Sequence, residues 1–198
     1  VMFLSISFIL NLGFQKEQQY SYSAMSLLQG KLYYTETPYI LHDSVYWNGR
    51  FYSPLAPFPM ILLLPFVFLG NLIGQFFFQG YVQPLITTLI FYLCFKIAKK
   101  HNFNLTDSIA LAFAFCFASV YHQVAFLSWS WFFVQTVAVM LSFLAINEYF
   151  NNKRYWLIGI LLSFVLASRF TSGLGVVFFL LSILYEKSFS LQNKIKNI

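Results

Sequence analysis

The stretch His42–Phe66, HDSVYWNGRFYSPLAPFPMILLLPF, passes from a polar, aromatic loop directly into uninterrupted apolar sequence. Its first part contains an acid, Asp43, a base, Arg50, and the pair Asn48-Gly49. An Asn-Gly pair between the triplets VYW and RFY predicts a tight turn. Three prolines follow: Pro54, Pro57 and Pro59. Because prolines interrupt helices, we expect this polar loop to contain no long helix. The loop should end at a membrane boundary, where the apolar sequence begins.

The composition is that of an integral membrane protein. Hydrophobic residues make up 59% of the 198-residue chain and charged residues only 9%, whereas soluble domains are about half apolar and about a quarter charged. Strict alternation of apolar and polar residues is absent, which favours a helical bundle over an outer-membrane barrel. We therefore expect an all-α fold, a polytopic transmembrane bundle with a large first extracytoplasmic loop that contains juxtamembrane helices.

The formal charge of +6 comes from lysines and arginines scattered between the apolar runs, with no dense basic stripe. This spacing argues against a nucleic-acid partner and indicates a role in membrane orientation. Membrane lipids are the expected surroundings, and the sequence leaves the oligomeric state open. Cys94 and Cys116 lie inside apolar runs, which predicts small buried side chains rather than a disulfide or a metal pair.

The apolar runs divide residues 1–198, a single membrane domain, into helical segments. An interfacial helix is expected over 16–29 within an outer loop over 15–57, and a re-entrant or juxtamembrane helix over 58–74. Transmembrane helices are expected over 81–95, 105–124, 126–149, 155–167 and 173–185. Residues 1–14 are too few to span the roughly 30 Å hydrocarbon layer, so they are the second half of a first transmembrane helix or the end of a signal peptide. Since this run is already apolar at Val1, we expect the chain to be part of a longer protein.

Three clusters of basic residues predict the orientation of these segments. They are Lys96-Lys99-Lys100, Lys153-Arg154 and Lys187-Lys194-Lys196. By the positive-inside rule all three belong on the cytoplasmic side. They fall on one side if 81–95 crosses inward and the four later segments alternate in direction. A full crossing by 58–74 would break this pattern, so we expect that segment and the loop before it on the outer side.

Three of the six acids, Glu17, Glu36 and Asp43, fall in the predicted outer loop, which makes the loop the strongest site candidate. Glu17 is placed where the first helix leaves the membrane, and partial desolvation there suits a carboxylate to act as a general base. The alternative is a solvated acid at a helix start. Asp43, with His42, could bind a sugar hydroxyl, assist a base or hold a metal ion, or it is simply a turn-forming aspartate.

Two arginines are candidate anion ligands. Arg50 either clamps a phosphate bidentately or faces lipid headgroups. Arg169 lies between two short apolar segments in ALASRFTSGLG. An arginine beside hydrocarbon needs water or a partner, so Arg169 either binds an anion or extends to the interface. Trp129 and Trp131 suggest an interfacial aromatic belt, with stacking against a sugar ring as the alternative.

The segments EQQYSYSAMSLLQGKLYY and DSVYWNGRFYSPLAPFPMILLLPF together resemble the first outer loop of the GT-C superfamily of membrane glycosyltransferases. The similarity is strongest to bacterial relatives of the protein mannosyltransferases and aminoarabinose transferases. It covers about residues 17–70, and its most specific part is the order Tyr46-x-Asn-Gly-Arg-x-Tyr52 followed by Pro-x-Pro.

This resemblance implies an inverting transferase in a bacterial inner or plasma membrane, which takes a sugar from a polyprenyl-phosphate donor at the outer face. In such enzymes an acid just after the first transmembrane helix is the catalytic base. Glu17 stands in that place, between Lys16 and Gln18, where an Asp-Glu pair is common. No cofactor is certain, and a divalent cation is the candidate.

The resemblance also implies a binding site for the lipid-linked donor. Arg50 and Arg169 are the nearest matches, by position, to the basic residues that hold the lipid phosphate in relatives. Asp43, His42 and Tyr52 complete the expected substrate-binding set.

Two further functions compete with the transferase. A non-catalytic protein that binds or transports polyprenyl-linked lipids would use the same loop as a docking surface. A transporter of small solutes is disfavoured, because the apolar segments contain almost no ionisable residues at their centres.

Overall fold

A computed structural model of the chain describes the backbone of residues 17–38, 41 and 43–196, and the side chains of those residues as far as Tyr185. This part is mostly helical. The helices are α1 (Gln19–Leu28), α2 (Phe58–Leu72), α3 (Gln83–Lys100), α4 (Leu105–Phe117), α5 (Tyr121–Phe126), α6 (Ser130–Asn151), α7 (Tyr155–Ser168) and α8 (Gly175–Lys196). Two 3₁₀ turns, Gln79–Tyr81 and Phe170–Leu174, precede α3 and α8. The predicted half-helix over 1–14 lies outside the described residues.

The predicted turn at Asn48-Gly49 is confirmed. Strands β1 (Val45–Trp47) and β2 (Arg50–Tyr52) pair antiparallel, with Trp47 opposite Arg50. Asn48 and Gly49 have φ values of 48° and 76°. Asparagine and glycine tolerate this left-handed backbone, which a two-residue hairpin turn requires. The described part of the predicted outer loop therefore contains a short β-hairpin.

Among the described residues, two helices are long and apolar enough to cross a membrane, judged by length and composition. They are Gln79–Lys100, which includes the 3₁₀ turn, and Ser130–Asn151, each of 22 residues. The apolar helices α2, α4 and α7 have 15, 13 and 14 residues. The described part is thus mostly helical, with one short hairpin, while a bundle with many full crossings stays a prediction.

The single helix predicted over 105–124 is wrong, because α4 ends at Phe117 and a separate short helix, α5, begins at Tyr121. Ser119 lies at the break. Its hydroxyl donates to the Phe115 carbonyl and accepts a hydrogen bond from the Tyr121 N–H at 3.1 Å. A serine that bonds to the backbone in this way competes with helix continuation and caps the next helix.

Contacts at both ends show that α3 and α6 run in the same direction. In the first turn of α3, the Gln83 side chain donates to the carbonyl of Leu127, just before α6, at 2.7 Å. Beyond the last turn of α3, the His101 ring packs edge-on against Phe150 near the end of α6, with centroids 4.6 Å apart. We call the end where α3 and α6 begin the polar end. The other end carries Lys99, Lys100, Lys153 and Arg154, and we call it the cationic end.

The residues at the start of α2 and just after it both contact side chains at the polar end. At its start, Phe58 stacks on Phe164, near the end of α7, with centroids 4.4 Å apart. After its end, Phe76 packs on Tyr22 of α1 at 4.7 Å, and the chain then reaches Gln79. Helix α2 packs mainly along α1. It therefore stays at the polar end instead of running to the cationic end.

The buried core lies between α3, α4, α6 and α7, the helices with the most extensive mutual contacts. Small side chains let α4 approach closely, because Ala112 and Cys116 are both fully buried. Cys94 and Cys116 are buried free thiols. At the cationic end, Arg154 clamps Glu148 with two hydrogen bonds of 2.7 and 2.9 Å, which fixes the turn between α6 and α7.

Candidate functional site

The main chain at Glu17 is held by side chains from distant parts of the sequence. The Glu17 carbonyl accepts hydrogen bonds from Gln79 Nε2 and from Ser130 Oγ, both at 3.2 Å. Gln79 and Ser130 are fully buried, and buried polar groups keep their positions because an unmade hydrogen bond there is costly. These bonds attach the candidate base to the starts of α3 and α6.

The same two side chains cap the first turn of α1. The N–H of Gln19 donates to Ser130 Oγ at 3.1 Å, and the N–H of Tyr20 donates to Gln79 Oε1 at 3.2 Å. The first N–H groups of a helix have no partner inside the helix, and here the partners come from elsewhere in the fold. Gln79 therefore accepts a hydrogen bond from α1 with its oxygen and donates one to Glu17, two residues before α1, with its nitrogen.

A second buried glutamine organises the segment between α5 and α6. Gln83 Nε2 donates to the carbonyls of Val124 and Leu127, each at 2.7 Å. Gln79 Nε2 also donates to the Ser128 carbonyl at 2.6 Å. The non-helical residues before α6 therefore have their carbonyls satisfied by side chains, which allows irregular backbone among apolar helices.

These glutamines and serines are not among the residues that the sequence predicts for the site. The available signal was the pair Gln79 and Gln83, spaced four residues apart at the start of a strongly apolar run. Polar residues at such a spacing lie on one face of a helix and need partners when that face is buried. The identity of the partners, residues 124–130 and 17–20, depends on the fold.

Asp43 lies beside the start of α6. Its carboxylate accepts a hydrogen bond from the indole N–H of Trp131 at 3.0 Å, and its backbone has a φ of 62°. Since the neighbouring Ser130 bonds to the Glu17 carbonyl, the segments carrying Asp43 and Glu17 both reach the first turn of α6. The predicted turn role and a role in substrate binding are both compatible with this position. His42 lies outside the described residues.

Arg169 also belongs to the polar end. It follows the last residue of α7, is partly buried and donates to the Thr171 hydroxyl at 3.4 Å. Burial raises the pKa of the Tyr20 hydroxyl, the nearby Tyr34 raises it further, and the positive charge of Arg169 lowers it. Arg169 directly follows α7, whose Phe164 stacks on Phe58 at the polar end.

Arg50 occupies a different place from Glu17. Its guanidinium lies over the Tyr33 ring, 4.1 Å from the centroid. Tyr52, on the same face of β2, contacts that ring edge-on with centroids 6.2 Å apart. Among the described residues, no hydrogen bond or ion pair joins Arg50 to Glu17. The structure therefore groups Arg50 with Tyr33 and Tyr52.

The polar end therefore contains an acid, Glu17, before α1 and a cation, Arg169, after α7. No group of three His, Cys, Asp or Glu side chains in the described part of the chain could hold a metal ion. Comparisons with protein-family models, curated proteins and solved structures found no match for this chain.

Proposed function

We propose that this chain forms part of a polytopic membrane glycosyltransferase, which transfers a sugar from a polyprenyl-phosphate donor to an acceptor at the outer face of a bacterial inner or plasma membrane. The observation that carries the proposal is that Glu17, Asp43 and Arg169 all lie at one end of the helices, opposite the basic turns. Under the positive-inside rule, the cationic end is cytoplasmic and the polar end is outside.

The reaction needs a base and a cation, and Glu17 and Arg169 supply them. The Glu17 carboxylate takes the proton of an acceptor hydroxyl while the hydroxyl oxygen attacks the anomeric carbon of the donor sugar. The bond from that carbon to the phosphate oxygen breaks, and its electron pair leaves with the lipid phosphate. The positive charge of Arg169 stabilises this phosphate. Attack opposite the leaving group inverts the anomeric carbon.

Gln79 and Ser130 act as positioning residues in this mechanism. They bond to the Glu17 carbonyl and not to its carboxylate. They therefore restrict where the carboxylate can reach without taking up its hydrogen-bonding capacity. Positioning of a base relative to the acceptor is a large part of what an enzyme contributes to such a step. Arg50 is assigned no part in this step, because its described contacts lie on the hairpin.

The test is the variant Glu17→Gln, made in the protein expressed from its complete reading frame and assayed in membranes. Labelled undecaprenyl-phosphate sugars serve as donors, and label in the acceptor fraction is measured. We expect transfer to fall by at least about a hundredfold, the usual contribution of a general base. Glu36→Gln is the matched control, because Glu36 is an exposed acid of the same loop.

Two outcomes would contradict the proposal. Normal transfer by Glu17→Gln, at normal expression, would remove Glu17 as the base. Binding of the donor lipid by the unaltered protein, with no turnover under any donor, would favour the non-catalytic lipid-binding protein instead.

A further inference from the structure

One face of the β-hairpin combines apolar and aromatic side chains with a cation. In the antiparallel register Trp47 lies opposite Arg50, and Val45 lies opposite Tyr52. Residues paired across two strands, and every second residue along a strand, point to the same side of a sheet. These four side chains therefore share one side of the hairpin, which we call the aromatic face.

The segment after α1 adds a third ring to the aromatic face. The Tyr34 N–H donates to the Phe51 carbonyl at 2.9 Å, and Tyr33 forms a β-bridge with Tyr52. The rings of Tyr33 and Tyr52 meet edge-on with centroids 6.2 Å apart, and the Trp47 ring lies 6.0 Å from that of Tyr52. The three rings thus form a continuous row.

Two cations lie at one end of this row. The Arg50 guanidinium lies 4.1 Å from the centroid of the Tyr33 ring, and Lys31 Nζ lies 5.9 Å from it. Both basic residues are exposed. In the described part of the chain, no carboxylate forms an ion pair with either of them. The aromatic face therefore carries two positive charges that can attract anions from its surroundings.

The aromatic face is also open. Trp47 and Val45 are 66% and 51% exposed. Exposed apolar side chains that lie together and are bordered by polar residues mark a surface that contacts another molecule or a membrane. The two positive charges make an anionic contact surface the complementary one.

The hairpin begins close to the end of a helix that is long enough to cross a membrane. Asp43, two residues before β1, accepts a hydrogen bond from the indole N–H of Trp131, the second residue of α6, at 3.0 Å. A strand of three residues is only about 10 Å long. In a membrane that α6 crosses, the hairpin therefore lies at or near the headgroup layer, which is roughly 5–8 Å thick in each leaflet.

We propose that the aromatic face docks on the phospholipid headgroups of the outer leaflet, and that it binds anionic phospholipids in preference to zwitterionic ones. Tryptophan and tyrosine rings are favoured at headgroup depth, and basic residues attract anionic lipids. The inference rests on the membrane location given under the proposed function, and docking requires no sugar transfer. The headgroup layer is hydrated, so docked residues stay within reach of polar reagents.

Quenching of a fluorescent label in bilayer nanodiscs tests the docking. Val45→Cys and Tyr46→Cys, each in a background without Cys94 and Cys116, are labelled with nitrobenzoxadiazole. The two exposed neighbours point to opposite sides of the hairpin, which makes them a matched pair. A nitroxide attached to the lipid headgroup quenches a label that lies at headgroup depth. We expect the label at position 45 to be quenched at least about twofold more strongly than the label at position 46, because only position 45 is on the aromatic face.

Lipid composition and charge variants test the preference for anionic lipids. Nanodiscs of phosphatidylcholine are compared with nanodiscs that also contain phosphatidylglycerol. Quenching at position 45 should rise with phosphatidylglycerol and fall again at high salt, which screens surface charges. Arg50→Gln should lower the ratio of docked to undocked hairpin about fivefold, the usual effect of one basic residue at an anionic surface. Arg50→Lys should retain most of the docking, and Lys100→Gln, an exposed lysine of the cationic end, is the matched control.

Four outcomes would overturn the proposal. They are equal quenching at positions 45 and 46, quenching that does not respond to phosphatidylglycerol, normal docking by Arg50→Gln, and no quenching in either lipid mixture. The last outcome would leave a soluble partner or a second copy of the chain as the occupant of the aromatic face. Glu17→Gln should dock normally, because Glu17 is not part of this face. Both leaflets of a nanodisc have the same composition, so the result depends neither on sugar transfer nor on which side the hairpin faces.

Discussion

At the scale of single residues, Gln79 has the most consequential set of contacts. Its amide oxygen accepts from the first turn of α1, and its nitrogen donates to the carbonyls of Glu17 and Ser128. One fully buried side chain therefore links three segments that are far apart in sequence. An apolar side chain of similar size at position 79 would remove the hydrogen bonds that Gln79 makes with the first turn of α1 and with the carbonyls of Glu17 and Ser128.

We expect Gln79→Leu to lower the free energy of unfolding by about 2–4 kcal/mol, because buried donors and acceptors lose their partner. Thermal unfolding in detergent measures this change. Gln75→Leu is the control, since Gln75 is exposed and in the same connection. If both variants unfold at the same temperature, the Gln79 contacts do not contribute to stability.

Tyr20 predicts an effect of alkaline pH. Burial raises the pKa of its hydroxyl, so the folded protein keeps a proton that the unfolded chain releases near pH 10. The neutral Tyr20 hydroxyl therefore contributes fully to the free energy of unfolding below about pH 10, and this contribution is lost as the pH rises above that value.

Melting temperatures from about pH 9 to about pH 11 test this effect. Tyr20→Phe should lose less stability over this range than the unaltered protein, whereas Tyr46→Phe, at an exposed tyrosine, should behave like the unaltered protein. Identical pH profiles for all three proteins would show that Tyr20 stays neutral in both states or is not buried.

At the scale of elements, the connection from α2 to α3 determines where Gln79 lies. Gly70 accepts hydrogen bonds from Ile73 and Gln75, and Gly74 adopts a φ of 68° in the turn that ends α2. A Cβ at Gly70 would lie 2.9 Å from the Gln75 carbonyl oxygen and 3.0 Å from Phe77 Cβ. The chain can fold back on α2 here only because position 70 has no side chain.

We expect Gly70→Ala to destabilise the protein by about 1–3 kcal/mol, because the backbone of the turn must shift. Gly159→Ala is the matched control in helix α7, where a Cβ would meet no atom within 4 Å. That variant should be neutral or more stable by up to about 1 kcal/mol, since alanine favours a helix. Equal effects of the two substitutions on the melting temperature would contradict the close approach at Gly70.

At the scale of the whole molecule, the two ends of the helices differ in charge. The ends of α3 and α6 and the turns after them carry four basic residues, Lys99, Lys100, Lys153 and Arg154, and the acid Glu148 there is paired with Arg154. The polar end instead carries the acids Glu17 and Asp43 together with Arg50 and Arg169. This asymmetry gives the orientation of the proposed membrane protein, because basic turns remain in the cytoplasm.

Single cysteines at Val45 and Asn152, in a background without Cys94 and Cys116, test that orientation. Both positions are exposed, one in the hairpin and one in the turn after α6. An impermeant maleimide should label Val45→Cys on intact cells, and Asn152→Cys only after the membrane is opened. Labelling of both on the same side would rule out the arrangement.

The sequence predicted the features that depend on neighbours in the chain. The Asn48-Gly49 turn follows from backbone sterics, and the positions of α2, α3, α6, α7 and α8 follow from long apolar runs. The break at Ser119 was missed because a serine in an apolar run is compatible with a continuous helix, and only its bonds to Phe115 and Tyr121 reveal the cap.

The sequence alone determined the apolar, helical character of this protein and the concentration of acids in one loop, because composition and periodicity are local properties of the chain. Only the tertiary structure decided which polar groups meet. Gln79 and Ser130 hold Glu17 across more than sixty residues of sequence, and Arg50 lies on Tyr33 and not with Glu17. Such pairings depend on how the helices pack, since a buried polar group takes the partner that the fold brings within reach.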